Sequence, residues 1–196
     1  MSVRAAPRRT RSDAPATAAD TVASFPPQVG AGCRVLVLGS VPSVRSLELR
    51  QSYAHPHNLF WPFMGLLYGA GPELAYADRI ARLQAAGVGI WDVLEQCERA
   101  GSLDSRIVAA SEVPNDIPRL LADYPTIAAI ALNGAKAQQV FARRIAPAIA
   151  AERRAGLALL ALPSTSPANA SIARAVKLAR WNEILQWAPR AAQSPI

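Results

Sequence analysis

The chain has 196 residues, 51% of them hydrophobic, enough for one domain with a sizeable core, and it holds no apolar run near the ~18 residues that a membrane span needs. Cys33 and Cys97 are too few and too far apart for a disulfide framework or for the four thiolates of an iron–sulfur cluster, which points to a reducing compartment. The formal charge of +7, from 21 basic and 14 acidic residues, permits a phosphate-rich partner through counterion release without requiring one.

Residues 1–30 set Arg4, Arg8, Arg9 and Arg11 against Asp13 and Asp20 in a background of Ala, Pro, Ser and Thr. They read as a disordered basic arm, without the apolar core of a secretory signal. Residues 31–188 read as the folded domain and 189–196 as a C-terminal tail. Val35 to Leu38 is an aliphatic run suited to a strand buried on both faces, and Gly39-Ser40-Val41-Pro42-Ser43 turns the chain at its end. Phe60 to Tyr68 and Glu73 to Ala86 read as helices, with Phe60 and Trp61 in the core and Gly87 as a stop. Val88 to Trp91 is a short strand, Trp91 also core, and Glu95 to Ser105 a polar loop.

Pro114-Asn115-Asp116 opens a helix with Ile117, Leu120 and Leu121 on one face. Thr126 to Leu132 is a second buried strand, ending at Asn133-Gly134, and Ala135 to Ile145 is a helix. Gly156 to Leu162 is a third buried strand running into Pro163. A last helix over 171–187 turns Ile172, Val176, Ile184 and Leu185 inward and leaves Arg174, Lys177 and Arg180 on a solvated face.

Buried strands alternating with helices predict an α/β fold, a three-layer α/β/α sandwich with a short central parallel sheet. Three strands end in polar loops, at Ser40–Ser43, Asn133-Gly134 and Ser164–Ser166. Parallel strands put their C-terminal ends on one edge, so these loops are expected to line one cleft.

Gly39-Ser40-Val41-Pro42-Ser43 with Tyr53-Ala54-His55-Pro56-His57-Asn58-Leu59-Phe60-Trp61 resembles the first motif of the uracil-DNA glycosylase superfamily. Leu162-Pro163-Ser164-Thr165-Ser166-Pro167-Ala168-Asn169 resembles its second motif. With Trp91-Asp92-Val93 and Gly101-Ser102-Leu103-Asp104-Ser105, the pattern is most similar to the hypoxanthine-DNA (deoxyinosine) glycosylase branch, over roughly residues 31 to 188.

The resemblance implies a monofunctional hydrolase of base-excision repair that cuts the N-glycosidic bond of deoxyinosine, releases hypoxanthine and leaves an abasic site. No lysine stands at a motif, which disfavours Schiff-base chemistry. The implied partner is double- or single-stranded DNA containing a deaminated base. The protein is expected to be a monomer without cofactor or metal, off the membrane, cytoplasmic, and nucleoid-associated in a bacterium. Uracil or xanthine removal by the same reaction is the nearest alternative. A non-catalytic binder of damaged DNA or of nucleotides is the alternative from another class.

Extracting a base costs a few kcal/mol, which stacking and phosphate contacts must offset. The resemblance assigns stacking to Tyr53, where an ordinary core aromatic is the plainer alternative. Asn133 carries an acceptor and donors suited to a lactam edge, though an Asn there also suits a helix N-cap. Gly39 completes the base-binding set. Several branches place a catalytic Asp or Asn in the first turn, where this chain has Ser40-Val41.

Asn58, the position of the main catalytic asparagine in the hypoxanthine branch, is then the candidate for orienting water against C1′. It does so without taking a proton if the base departs as a stabilised anion; the competing role is a cap on the helix that follows. Ser40 is expected to help place that water. Ser43, His57, Ser164, Thr165, Ser166 and Asn169 are expected at DNA phosphates.

Leu162 stands where uracil-specific relatives carry a histidine, and Ala168 and Asn169 where relatives carry a bulky wedge. Asp92, Asp104 and Ser105 match the branch without an assigned chemistry. His55 and His57 resemble a metal pair, but no third His or nearby Cys completes it, and Pro56 between them is ill suited to a strand.

Overall fold

The computed structural model describes residues 19–190. Its centre is a four-stranded parallel sheet. The strands are β1 (Asp20–Ala23), β2 (Val35–Gly39), β3 (Val88–Asp92), β4 (Leu94–Arg99), β5 (Val113–Pro114), β6 (Ala129–Asn133) and β7 (Ala158–Leu162). The parallel sheet has the order β3-β2-β6-β7, and β1-β4-β5 form a second, antiparallel sheet.

Strand side chains alternate between two faces, and the sequence of β2 supplies an apolar residue to each. Leu36 and Leu38, with Ile130 and Leu132 of β6, pack on the side of α4 (Ile117–Asp123) and α5 (Ala135–Val140). Val35 and Val37, with Ala129 and Ala131, pack on the other side. There they meet α2 (Phe60–Tyr68), α3 (Tyr76–Ala85) and α7 (Arg174–Trp181), through Phe60, Phe63, Met64, Leu83 and Trp181. The two apolar layers make the expected α/β/α sandwich.

Several expectations change. Residues up to 18 of the expected arm, and the tail from 191, lie outside the described residues. From residue 19 the chain is structured: β1 pairs with β4, and Gln28 exchanges main-chain hydrogen bonds with Ile90. The segment read as a polar loop begins with β4, which packs Leu94 and Cys97 inward. β7 is buried on one face only: it is an edge strand, and Leu159 is 49% exposed.

The last helix starts at Arg174 and tightens to a 3-10 turn over Asn182–Gln186. Its inward stripe is Lys177, Trp181 and Ile184, while Ile172 and Val176 face solvent. Trp91, expected in the core, is half-buried and donates from Nε1 to the Phe25 carbonyl at 2.7 Å.

The parallel register sets up the site. Gly39 lies opposite Asp92, and Asn133 opposite Leu162. The strands therefore finish level at one edge, with Asp92, Gly39, Asn133 and Leu162 in a row across it.

Candidate active site

Gly39 leaves a gap in that row. A Cβ there would lie 2.5 Å from Asp92 Oδ1 and 3.0 Å from the Tyr53 hydroxyl, so any side chain would displace one or the other. The gap opens into a cleft of ≈ 1030 Å³.

Tyr53 reaches this cleft from the loop between α1 (Val44–Leu49) and α2. Its backbone is left-handed, φ 58°, a conformation an L-residue holds only when its surroundings enforce it. Both neighbours are pinned. Ser52 N–H donates to the Tyr76 hydroxyl at 2.9 Å, and its carbonyl accepts from Trp61 Nε1 at 2.9 Å. Ala54 N–H donates to Ser46 Oγ at 3.2 Å.

Phe60 covers one face of the Tyr53 ring, stacked at 3.9 Å with 24° between the planes. The Tyr53 side chain also lines the cleft. The Tyr53 hydroxyl is buried with no hydrogen-bond partner among the described residues. Burial first, and then the Asp92 carboxyl, push it far above the ordinary tyrosine range, while the nearby Asn133 side chain acts in the opposite sense. It stays a neutral phenol.

Asn133 is 8% exposed at the end of β6. Its Oδ1 accepts from Thr165 N–H at 3.0 Å and its Nδ2 donates to Thr165 Oγ1 at 3.0 Å. An amide has two lone pairs on oxygen and two hydrogens on nitrogen, so one acceptor site and one donor remain, in a fixed orientation. The helix-cap reading fails: the cap of α5 is Gly134, and no side chain caps its first turn. Gly134, at φ +95°, also takes the close approach of Ser164, whose Cβ would stand 2.8 Å from a Cβ placed there.

Asn58 fastens a helix and also reaches the cleft. Its Oδ1 accepts from Phe60 N–H at 2.9 Å, fastening the start of α2, and the side chain lines the cleft. The second lone pair of that oxygen is unspent. Next to it, Leu59 N–H donates to the Thr165 carbonyl at 3.0 Å, which ties the first motif to the second. Ser40 Oγ donates to Asp104 Oδ1 at 2.7 Å, bringing the loop after β4 to the cleft mouth.

The other expected contacts divide. Ser43, Ser164, Ser166 and Asn169 line the cleft. The Ser43 hydroxyl caps α1, accepting from Ser46 N–H at 3.2 Å. Thr165, expected at a phosphate, is also in the cleft lining but is fully buried, with its hydroxyl and N–H on Asn133, so it orders the amide. His57 is exposed outside the cleft lining, its N–H donating to His55 Nδ1 at 3.2 Å. Among the described residues, no group of three or more His, Cys, Asp or Glu gathers as a metal site.

Three contributors lie beyond the residues expected at the site. Asp92 and Asp104 line the cleft. Asp92 is pushed up to about 7, by burial first and the neighbouring Asp104 next, against the opposing pull of Arg99. Lys177, read as solvated, is 2% exposed, and its Nζ donates to the carbonyls of Ser164 at 2.8 Å and Asn169 at 2.5 Å. The motif run around Asp92 and Asp104 marked their importance; only the strand register reveals their position.

Comparison with known proteins agrees with this geometry. The family described as the Uracil DNA glycosylase superfamily matches residues 26–186. A Methanosarcina acetivorans protein named Hypoxanthine DNA glycosylase is 34% identical over 146 residues, 74% of this chain and 86% of that protein. One of the same name from Methanosarcina barkeri is 32% identical over 113 residues, 57% of this chain and 70% of that protein. The solution NMR structure of a Methanosarcina acetivorans protein described as a candidate uracil DNA glycosylase has a TM-score of 0.70 at 28% identity, covering 85% of this chain and 98% of that one.

Proposed function

This chain belongs to the uracil DNA glycosylase superfamily, and from that membership we propose that it is a monofunctional hypoxanthine-DNA glycosylase of base-excision repair. It hydrolyses the N-glycosidic bond of deoxyinosine in DNA, releases hypoxanthine and leaves an abasic site. Both named relatives support the choice of base.

The observation that carries the reading is the Asn133 amide, locked by Thr165 with one donor and one acceptor unspent at the edge of the cleft. A lactam edge such as O6 and N1–H of hypoxanthine offers the complementary acceptor and donor. Adenine offers the reverse pair, and Thr165 opposes the flip that would let Asn133 accept it.

The extruded base stacks on Tyr53 where it lines the cleft, worth ~1–3 kcal/mol for a base on an aromatic, toward the few kcal/mol that extraction costs. Asn58 Oδ1 orients the water that attacks C1′ as the sugar gains oxocarbenium character. Ser40, held by Asp104, steadies that water from the far side. Ser43, Ser164, Ser166 and Asn169 at the mouth, with His57 further out, suit phosphates on either side of the extruded nucleotide. A monomer acting on nucleoid DNA suits the charge of +7.

Labelled duplexes carrying deoxyinosine, deoxyuridine or deoxyxanthosine, treated with protein and then alkali, test the reading. Scission at deoxyinosine ahead of the other two supports it. Scission only at deoxyuridine replaces the substrate, and binding without scission at any site removes the enzyme.

A further inference from the structure

We propose that Asp92 is the proton donor to the extruded purine, set against its imidazole edge by the gap at Gly39. The inference rests on the proposed hypoxanthine reading and adds the group that helps the base to leave.

Asp92 ends β3 directly opposite Gly39. Its Oδ1 and the Tyr53 hydroxyl converge on the space a Gly39 side chain would fill, 2.5 and 3.0 Å from its Cβ position, and so at most 5.5 Å apart by the sum of the two distances. The carboxyl lines the same cleft as Asn133 and Asn58.

The Asp92 carbonyl accepts from Asn115 Nδ2 at 2.9 Å, but no described residue donates to its carboxyl. The charged groups facing it are Asp104, from the loop after β4, and Arg99 of β4; Tyr53 faces it as a neutral hydroxyl. Arg99 spends its guanidinium on the carbonyls of Pro42 at 2.5 Å and Gly101 at 2.8 Å. A part-buried carboxyl without an ion pair and with a second carboxyl nearby keeps its proton near neutral pH, in keeping with its raised value of about 7. Two carboxyls in unlike settings are a recurring basis for dividing acid and water-positioning work.

The step balances. The C1′–N9 bond breaks with its electron pair going to the base, and the Asp92 proton passes to N7, so hypoxanthine leaves neutral instead of as an anion. Water oxygen bonds to C1′ and releases its proton to solvent, from which the Asp92 carboxylate is protonated again.

The test is single-turnover hypoxanthine release by the full chain and by Asp92→Asn from pH 5 to 9. The unaltered chain is expected to slow about tenfold per pH unit above about 7. Asp92→Asn is expected to be at least about 100-fold slower at pH 6 and flat across the range. Its affinity for DNA containing non-hydrolysable 2′-fluoro-2′-deoxyinosine should stay within a few-fold.

A second arm needs no variant. With 7-deaza-2′-deoxyinosine, which lacks the N7 acceptor, the unaltered chain should lose both the rate and the pH step. Release with the same pH profile in Asp92→Asn, or equal rates on the 7-deaza substrate, overturns this inference alone. No hypoxanthine release by the unaltered chain at any pH overturns the proposed function and this inference with it.

Discussion

Asn133 and Thr165 clasp each other by two hydrogen bonds of 3.0 Å, one from the Thr165 main chain to Oδ1 and one from Nδ2 to the Thr165 hydroxyl. The clasp joins the end of β6 to the loop after β7 and fixes the orientation of an amide that lines the cleft. Thr165→Val keeps the shape and the main-chain donor that fixes Oδ1, but removes the hydroxyl that anchors Nδ2. The expected result is about tenfold slower release from deoxyinosine, the value of one hydrogen bond, with the preference over deoxyadenosine kept by the main-chain donor. Single-turnover release from the two labelled duplexes measures both.

Asn58 uses one oxygen to fasten the start of α2 and, in the proposed reaction, to orient water. Asn58→Ala should cost about 1 kcal/mol of stability through the lost hydrogen bond to Phe60 N–H, and should abolish base release while DNA binding survives. Asn58→Ser separates the two uses, because a short hydroxyl restores the helix fastening but does not reach the water. Near-normal single-turnover release by either variant removes Asn58 from the mechanism.

Asp92 makes the fold sensitive to pH. Its carboxyl titrates near 7 in the folded chain against an ordinary 3.8. Between those values the unfolded chain has released the proton and the folded chain has kept it. Stability from this group therefore falls as pH rises through the window, and the cost of the buried carboxylate is complete above about 7. Asp92→Asn should raise stability by on the order of 2 kcal/mol at pH 8 and by much less at pH 5. Urea unfolding at the two pH values checks the sign.

Lys177 braces the second motif from beneath. Its ammonium joins the Ser164 and Asn169 carbonyls, and Trp181 Nε1 donates to the Pro163 carbonyl at 3.0 Å in the same turn. Lys177→Met keeps the buried stem and leaves both carbonyls without this donor. A loss of about 2 kcal/mol in stability and a several-fold loss of affinity for DNA are expected, measured by denaturant titration and fluorescence anisotropy. Unchanged affinity would separate the brace from the DNA surface.

Much of this was legible in the chain. Val35–Leu38 and the run into Asn133 announced the parallel sheet because strands buried on both faces are continuous apolar runs. The antiparallel sheet was hidden for a physical reason: the pairing of β4 with β5 shifts register between Leu94 and Gln96, and such an irregularity breaks the two-residue alternation. In β1 only Val22 is buried, too little to mark a strand.

The phase of α7 is masked by Lys177, whose charge suggests solvent although its ammonium is satisfied by two carbonyls inside the fold. At the site, the first motif pointed to Tyr53 and Asn58 and the end of a buried strand to Asn133, and all three line the cleft. The meeting of Asp92 with Tyr53 over Gly39, and of Asp104 with Ser40, depends on strand register and loop closure between distant segments.

The central claim is that one purine stacks on Tyr53 in the cleft with its lactam edge on Asn133. A crystal structure of the full chain with duplex DNA containing 2′-fluoro-2′-deoxyinosine, whose fluorine suppresses cleavage by destabilising the oxocarbenium ion, tests it most directly. The account predicts hypoxanthine extruded and stacked on Tyr53, O6 and N1–H paired with Asn133, and Asn58 facing C1′ across one water. A base left in the helix, or held away from Tyr53 and Asn133, contradicts it.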